Sequence, residues 1–216
     1  MHRARQHAET RIRERRHRLA HEAARLMAEG GIRDYQQAKR KAAARLGIGD
    51  DASLPGNREI EDALREYQRL FQGDIQVFDL RLRREAALRA LAFFEAFHPR
   101  LVGPVLDGLA DAHSSITLHL HADAPEDVSR FLEEQRIPAQ SRSQRVRMDR
   151  QRSEDVMRWV LNAEGLPFEL TVLPMAALRQ APLSPVDDKP MRRASLAQLR
   201  QLLTDEDIAV YEAAPE

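Results

Sequence analysis

The sequence predicts an α+β protein, with a helical N-terminal region followed by a mixed sheet with flanking helices. Two observations carry that prediction. Ala, Arg, Glu, Gln and Leu dominate the first third, which has no proline before Pro55, so helix propensity runs uninterrupted there. After Pro99 the apolar period changes: "ITLHLHAD" alternates, with Thr117, His119, His121 and Asp123 on one face and Ile116, Leu118, Leu120 and Ala122 on the other.

A first helix should run to about Glu29 and close on Gly30 and Gly31. A second starts after the N-cap Asp34 and ends near Gly47. Pro55 and Gly56 break the chain, and Asn57 is expected to cap a third helix whose stripe is Ile60, Leu64, Tyr67 and Phe71. A fourth carries Leu80, Ala87, Leu91 and Phe94 until Pro99 stops it. "RLVGPVL" and "ITLHLHA" then read as strands, and "PEDVSRFLEEQR" as a helix with Pro125 in its first turn. "AQSRSQRVRM", "VMRWVLNA" and "PFELTVLP" read as three more strands. The proline-rich stretch "RQAPLSPVDDKPMRRAS" reads as a loop, and Ser195 caps the closing helix "LAQLRQLL". The expected division is residues 1–73, a basic helical region; 74–204, the α/β domain; and 205–216, an acidic tail.

The 34 basic and 34 acidic residues cancel, so no global field directs the chain to nucleic acid or membrane. Their distribution is uneven. Residues 1–45 hold 13 Lys and Arg against 5 acids, residues 105–135 hold 7 acids against Arg130 alone, and residues 201–216 hold five acids and no base. The absence of cysteine excludes disulfides, thiolate metal sites and thiol nucleophiles. No run approaches the roughly 20 apolar residues of a spanning helix, and the basic N-terminus has no apolar signal core. These features predict a cytoplasmic protein without a membrane partner.

Three sets of residues invite chemistry. His119 and His121 stand two apart on one strand face and Asp123 continues it, a spacing that would suit Zn²⁺ or Mn²⁺ if a further ligand joined them; a hydrogen-bonded sheet face is the plainer alternative. In "RDYQQAKRKAAARLG", Arg33, Lys39, Arg40, Lys41 and Arg45 gather on or beside one helix, with Tyr35 available for stacking; such a cluster binds RNA or DNA phosphates, or is a solvated helix face. A second basic set, Arg142, Arg145, Arg147, Arg150 and Arg152, with Arg192 and Arg193 further on, would hold a phosphate if its members converged.

The order helix, glycine-ended strand, turn, alternating strand, helix and further strands resembles the nucleotidyltransferase superfamily over roughly residues 79–175. That family has a Gly-Ser pair after its first strand, Asp-x-Asp on its second and a third carboxylate on a later one. Laid on this chain, the pair becomes Gly103 and Pro104, the next turn's glycine is Gly108, "SDIDL" becomes "SSITL" with Ser115 and Thr117 at the Asp positions, and Glu169 takes the third carboxylate. The resemblance therefore implies a degenerate domain that keeps the fold and loses two metal-binding carboxylates, since hydroxyls are poor substitutes for anionic oxygen on Mg²⁺. The chain is also similar to a proteobacterial family in which "EGGIRDYQQAKRKAAARLG" and "PLSPVDDKPMRRA" recur.

The expected function is non-catalytic binding of a nucleotide or RNA, with no cofactor. Gly103, Gly108, Ser115, Thr117, Glu169, Arg192 and Arg193 would meet nucleotide phosphates, and the basic helix would meet nucleic acid. Two alternatives stand beside it. One is an active nucleotidyltransferase-like enzyme using Mg²⁺ or Mn²⁺ on His119, His121, Asp123 and Glu169; the other is a module whose N-terminal helices dock a protein partner.

Overall fold

In the computed structural model, which describes residues 2–49, 54–71 and 73–213, the chain is α+β and divides into two units. The first comprises Met1–Gln76 with Pro185–Asp187, the second Val77–Ser184 with Asp188–Glu216. Three helices build the first unit: α1 (His2–Gly30), α2 (Tyr35–Leu46) and α3 (Asn57–Phe71). Leu19, Ala20, Ala23, Ala24 and Met27 recur along α1 at helical spacing and bury against Ala38 and Ala42 of α2 and Ile60, Ala63 and Leu64 of α3. The alanines matter as much as the leucines, because small side chains let helix axes approach closely.

The expected caps are present on α2. Asp34 Oδ1 accepts from the Gln37 N–H at 2.6 Å, and Gly47 closes the helix in the left-handed conformation at φ 64°. Asn57 departs from its expected role: its side-chain amide donates to the Pro185 carbonyl, and at this end of α3 the Glu59 carboxylate instead accepts from the Gly56 N–H at 2.6 Å. Of the expected α3 stripe, Phe71 lies outside the described side chains.

The second unit begins within α4 (Gly73–Phe93), continues through a 3₁₀ turn (Glu95–Phe97), and runs β1 (Arg100–Val102), α5 (Pro104–Asp107), β2 (Ile116–His121), α6 (Pro125–Glu134), β3 (Ala139–Arg147), β4 (Ser153–Ala163), β5 (Leu166–Leu173), a second 3₁₀ turn (Met175–Leu178), β6 (Arg193–Ala194) and α7 (Leu196–Ala213). The strands form one sheet in the order β3-β4-β5-β2-β1-β6. Only β2 and β5 run parallel; every other neighbouring pair is antiparallel.

Register assigns the faces, because directly paired residues point the same way. One row reads Ala194, Leu101, Leu118, Leu170 and Trp159 from β6 to β4, with Ile116, Phe168 and Leu161 beside it. That apolar face packs against Ala86, Ala87 and Leu91 of α4, Val128 and Leu132 of α6, and Leu199 and Leu203 of α7. The opposite face is polar and carries the candidate site.

Several boundaries differ from the sequence reading. "RLVGPVL" is not one strand: Gly103 turns the chain at φ 74°, ψ −156°, and Pro104 opens the one-turn helix α5, the position where a missing N–H costs nothing. Within the proline-rich loop, Arg193 and Ala194 pair with Val102 and Leu101 as a sixth strand, and Leu183 bridges Pro190. The acidic tail is helical through residue 213, because α7 extends past Leu203 and its Glu206 and Asp207 bond Arg84 and Arg81 of α4. Those acids pair within the second unit, not with the basic N-terminal helices. Ser195 does cap α7, accepting from Gln198 N–H while the Gln198 side chain accepts from Ser195 N–H.

Candidate functional site

Two parallel rows make up the polar face. Arg193, Val102, Thr117, Glu169, Val160 and Gln140 form one from β6 to β3; Arg100, His119, Thr171, Arg158 and Arg142 form the other from β1 to β3. The first row sets Thr117 and Glu169 side by side across the parallel ladder. Glu169 is committed to the Arg158 guanidinium, an ion pair with both side chains mostly buried. Its negative charge is thereby balanced within the protein.

The 3₁₀ turn after β5 packs on β2 at the end of this face where Leu173 and Ala177 form a small cluster with Met148 and Val156. Arg193 ties it down, donating through both terminal nitrogens to the Ala177 and Leu178 carbonyls at 2.6 Å. Asp123 accepts from the Met175 N–H at 3.3 Å, so this carboxylate anchors the start of the turn.

His119 and His121 are 5% and 1% exposed. His121 Nδ1–H donates to the His98 carbonyl at 2.9 Å, while its Nε2 and His119 Nδ1 are buried without a hydrogen-bond partner among the described residues. Burial first, then the charges of His121 and Arg193, drive the His119 pKa down to about 3. Burial likewise takes His121 down to about 4 against the opposing hydrogen bond from His98, with Arg193 and Arg100 adding to the depression. Both rings are neutral at pH 7. Among the described residues no three His, Asp or Glu side chains gather as a metal-ligand set, and the imidazoles lie in the field of two guanidiniums.

The superfamily pattern implies divalent cations held by carboxylates. The residues here do not fit that group: Thr117 offers a hydroxyl at an Asp position, Ser115 is buried just before β2, and Glu169 is bonded to Arg158. Gly103 and Gly108 flank α5 with positive φ, 74° and 78°, and so hold the turn between β1 and β2. Pro104 supplies neither N–H nor hydroxyl at its start.

What grips this turn from behind was not legible from local sequence. Arg83, 3% exposed, donates to the Ser114 carbonyl at 2.9 Å and the Ala112 carbonyl at 2.7 Å; Arg84, equally buried, donates to the Val105 and Leu106 carbonyls and pairs with Glu206. In "LRLRREAALRALAFF" they read as ordinary helix cations. The available signal was their place on the apolar side of α4, next to Ala86 and Ala87.

The second basic set does not converge. Arg142 shares the polar face with Arg158, whereas Arg145 and Arg147 alternate to the other face and pair with Asp155 and Asp188. Arg152 lies near Asp149 and Glu154, Arg150 is exposed, and Arg192 stands 3.7 Å from Asp107.

On α2 the first basic set also divides. Arg33, Arg40, Lys41 and Arg45 are exposed, while Lys39 is 7% exposed and turned inward beside Ala38 and Ala42, and burial lowers its pKa. Arg45 lies 3.4 Å from Glu22, and Arg40 and Lys41 form no ion pair among the described residues. Tyr35 packs against the helical core, which removes it as a free stacking platform. The 12-residue helix has no acid of its own.

Comparison of the chain with protein-family models, with curated proteins and with solved structures finds no match. No helix among the described residues is long and apolar enough to cross a membrane.

Proposed function

We propose that the chain is a non-catalytic RNA-binding protein of the cytoplasm in which the helical unit makes the phosphate contacts. The observation that carries this reading is α2: Arg40, Lys41 and Arg45 face solvent on a helix without an acid of its own, with exposed Arg33 just before its N-cap Asp34 and with Ala38 and Ala42 facing the core. Cations spaced along one exposed helix face suit a polyphosphate chain, whose counterions they release on binding. Exposed Arg13, Arg15 and Arg18 on α1 extend the basic character of the same unit. Binding rather than turnover is favoured because Glu169 is neutralised by Arg158 beside Thr117, while Asp123 accepts from the Met175 N–H.

The test is fluorescence anisotropy of a labelled single-stranded RNA with the full chain at about 50 and about 200 mM salt. Four phosphate contacts at a slope of about −0.7 each weaken binding about 50-fold over that range. Arg40→Glu with Lys41→Glu should cost at least about tenfold in affinity at the lower salt. Salt-independent binding, or equal binding by the double variant, overturns the reading; equal affinity for single-stranded DNA would widen the ligand to nucleic acid in general.

A further inference from the structure

On the polar face of the sheet, we propose that Arg100, Arg193, His119 and His121 form a site for a phosphate group that still carries a proton. This inference is independent of the RNA reading, which rests on α2.

The strand register assembles the cluster. Arg100 pairs directly with His119, His121 is the next residue on the same face of β2, and Arg193 sits opposite Val102, one diagonal step from Arg100. The two guanidiniums are close enough for Arg100 to add to the burial that lowers the Arg193 pKa. Neither forms an ion pair among the described residues. Arg100 donates to the Pro99 carbonyl and Arg193 to the Ala177 and Leu178 carbonyls, which leaves N–H groups on both guanidiniums without a protein acceptor among the described residues. Both side chains are half-buried, so solvent reaches them.

Two adjacent guanidiniums without a carboxylate select an anion and repel a cation. The histidines refine the choice. His121 Nδ1–H is spent on the His98 carbonyl, so in the neutral ring Nε2 is a bare lone pair, buried and without a donor. A buried acceptor left unmatched is costly, and it is matched by a ligand that brings its own hydrogen. A singly protonated phosphate does so: its P–OH donates to Nε2 while its charged oxygens accept from Arg100 and Arg193. Sulfate has the same shape and charge-bearing oxygens but no proton at neutral pH. His119, with its own Nδ1 unpartnered beside Arg100, supplies the second imidazole of the cluster. The groups facing these rings are Arg100 from β1, Arg193 from β6 and His98 from the turn before β1, and the 3₁₀ turn 175–178 adds no titratable side chain.

The experiment titrates the full chain with inorganic phosphate, sulfate and adenosine monophosphate near pH 6, where a phosphomonoester is about half singly protonated. Calorimetry reads affinity, and nitrogen NMR of the imidazole side chains reads the site. Phosphate should bind saturably, at least about tenfold tighter than sulfate, and move the His121 Nε2 resonance away from its lone-pair position. Arg100→Gln should weaken phosphate about tenfold and Arg100→Lys less, with the thermal midpoint unchanged in both. Adenosine monophosphate producing the same imidazole shift assigns the natural source to a nucleotide; its failure where phosphate succeeds assigns a smaller phosphate. Sulfate binding as well as phosphate, an unmoved His121 signal, or undiminished binding by Arg100→Gln overturns the proposal. Arg40→Glu with Lys41→Glu should leave all of these readouts unaltered, so failure here and failure of the RNA reading remain distinguishable.

Discussion

Arg40 and Lys41 on α2 stand in solvent with no ion pair among the described residues, whereas Arg83 and Arg84 on α4 are 3% exposed and bond four backbone carbonyls beyond their own helix between them. The same residue type thus does two kinds of work. On the solvent face of α2 these charges contribute little to folding, because exposed cations remain hydrated. In the sheet unit the guanidinium acts as a multi-armed donor that satisfies carbonyls which have left regular structure. The polar face lies between these extremes, with Arg193 anchored to two carbonyls and still half-exposed. Net charge of a segment therefore says little about ligand binding until each cation's partner is known.

The largest way to stress this comparison is acid. His119 and His121 are held neutral in the fold down to about 3 and about 4, while in the unfolded chain they take protons below about 6.5. The unfolded state then binds more protons, so stability falls as pH drops through about 6.5 and continues falling until the folded rings titrate. Between pH 7 and pH 5 each histidine should cost about 2 kcal/mol, read as the shift in urea unfolding free energy. His119→Phe should remove about half of that loss. A sheet unit equally stable at both pH values would show that the imidazoles are hydrated and that this face is open.

Next in size is Arg83→Met, which keeps the length of the side chain and removes its donors. The Ala112 and Ser114 carbonyls lose their guanidinium partner in a buried setting, at a cost of about 3 kcal/mol in unfolding free energy. Arg40→Gln, on the solvent face of α2, should stay within about 0.5 kcal/mol of the parent. If the two variants were equally stable, the division between structural and free arginines would collapse.

Much of the fold was legible before any coordinates. Helix ends carry local chemistry, so Asp34, Gly47 and Ser195 could be read from their positions alone. Alternation in "ITLHLH" placed His119 and His121 on the face opposite Leu118 and Leu120, and the register agrees. What sequence could not supply was long-range. The pairing of Arg193 with Val102, the seating of a 3₁₀ turn on β2 and the bond between Arg158 and Glu169 join residues 11 to 91 positions apart, and nothing local encodes them. Lys39 was misplaced, and Arg83 passed unremarked, for a related reason: a cation reads as exposed by default, and only neighbours from other elements reveal that it is buried.

Lys39 offers the smallest and sharpest test. It belongs by sequence to the basic set of α2 and by position to the core, 7% exposed beside Ala38 and Ala42, with Glu59 as a favourable charge and Arg16 as an unfavourable one. Burial has already lowered its pKa, so its charge is held at some expense, while its methylenes pack much as a hydrocarbon chain would. Lys39→Met preserves that packing and removes the buried ammonium. The expected outcome is a change between zero and about 1 kcal/mol in favour of the fold, with RNA affinity and its salt slope unchanged. Reversal of Arg40 and Lys41 on the same helix should do the opposite, sparing stability and costing affinity. If Lys39→Met instead reduced the salt slope by about one phosphate contact, Lys39 would be reaching the ligand, and the inward and outward faces of α2 would not separate structure from binding.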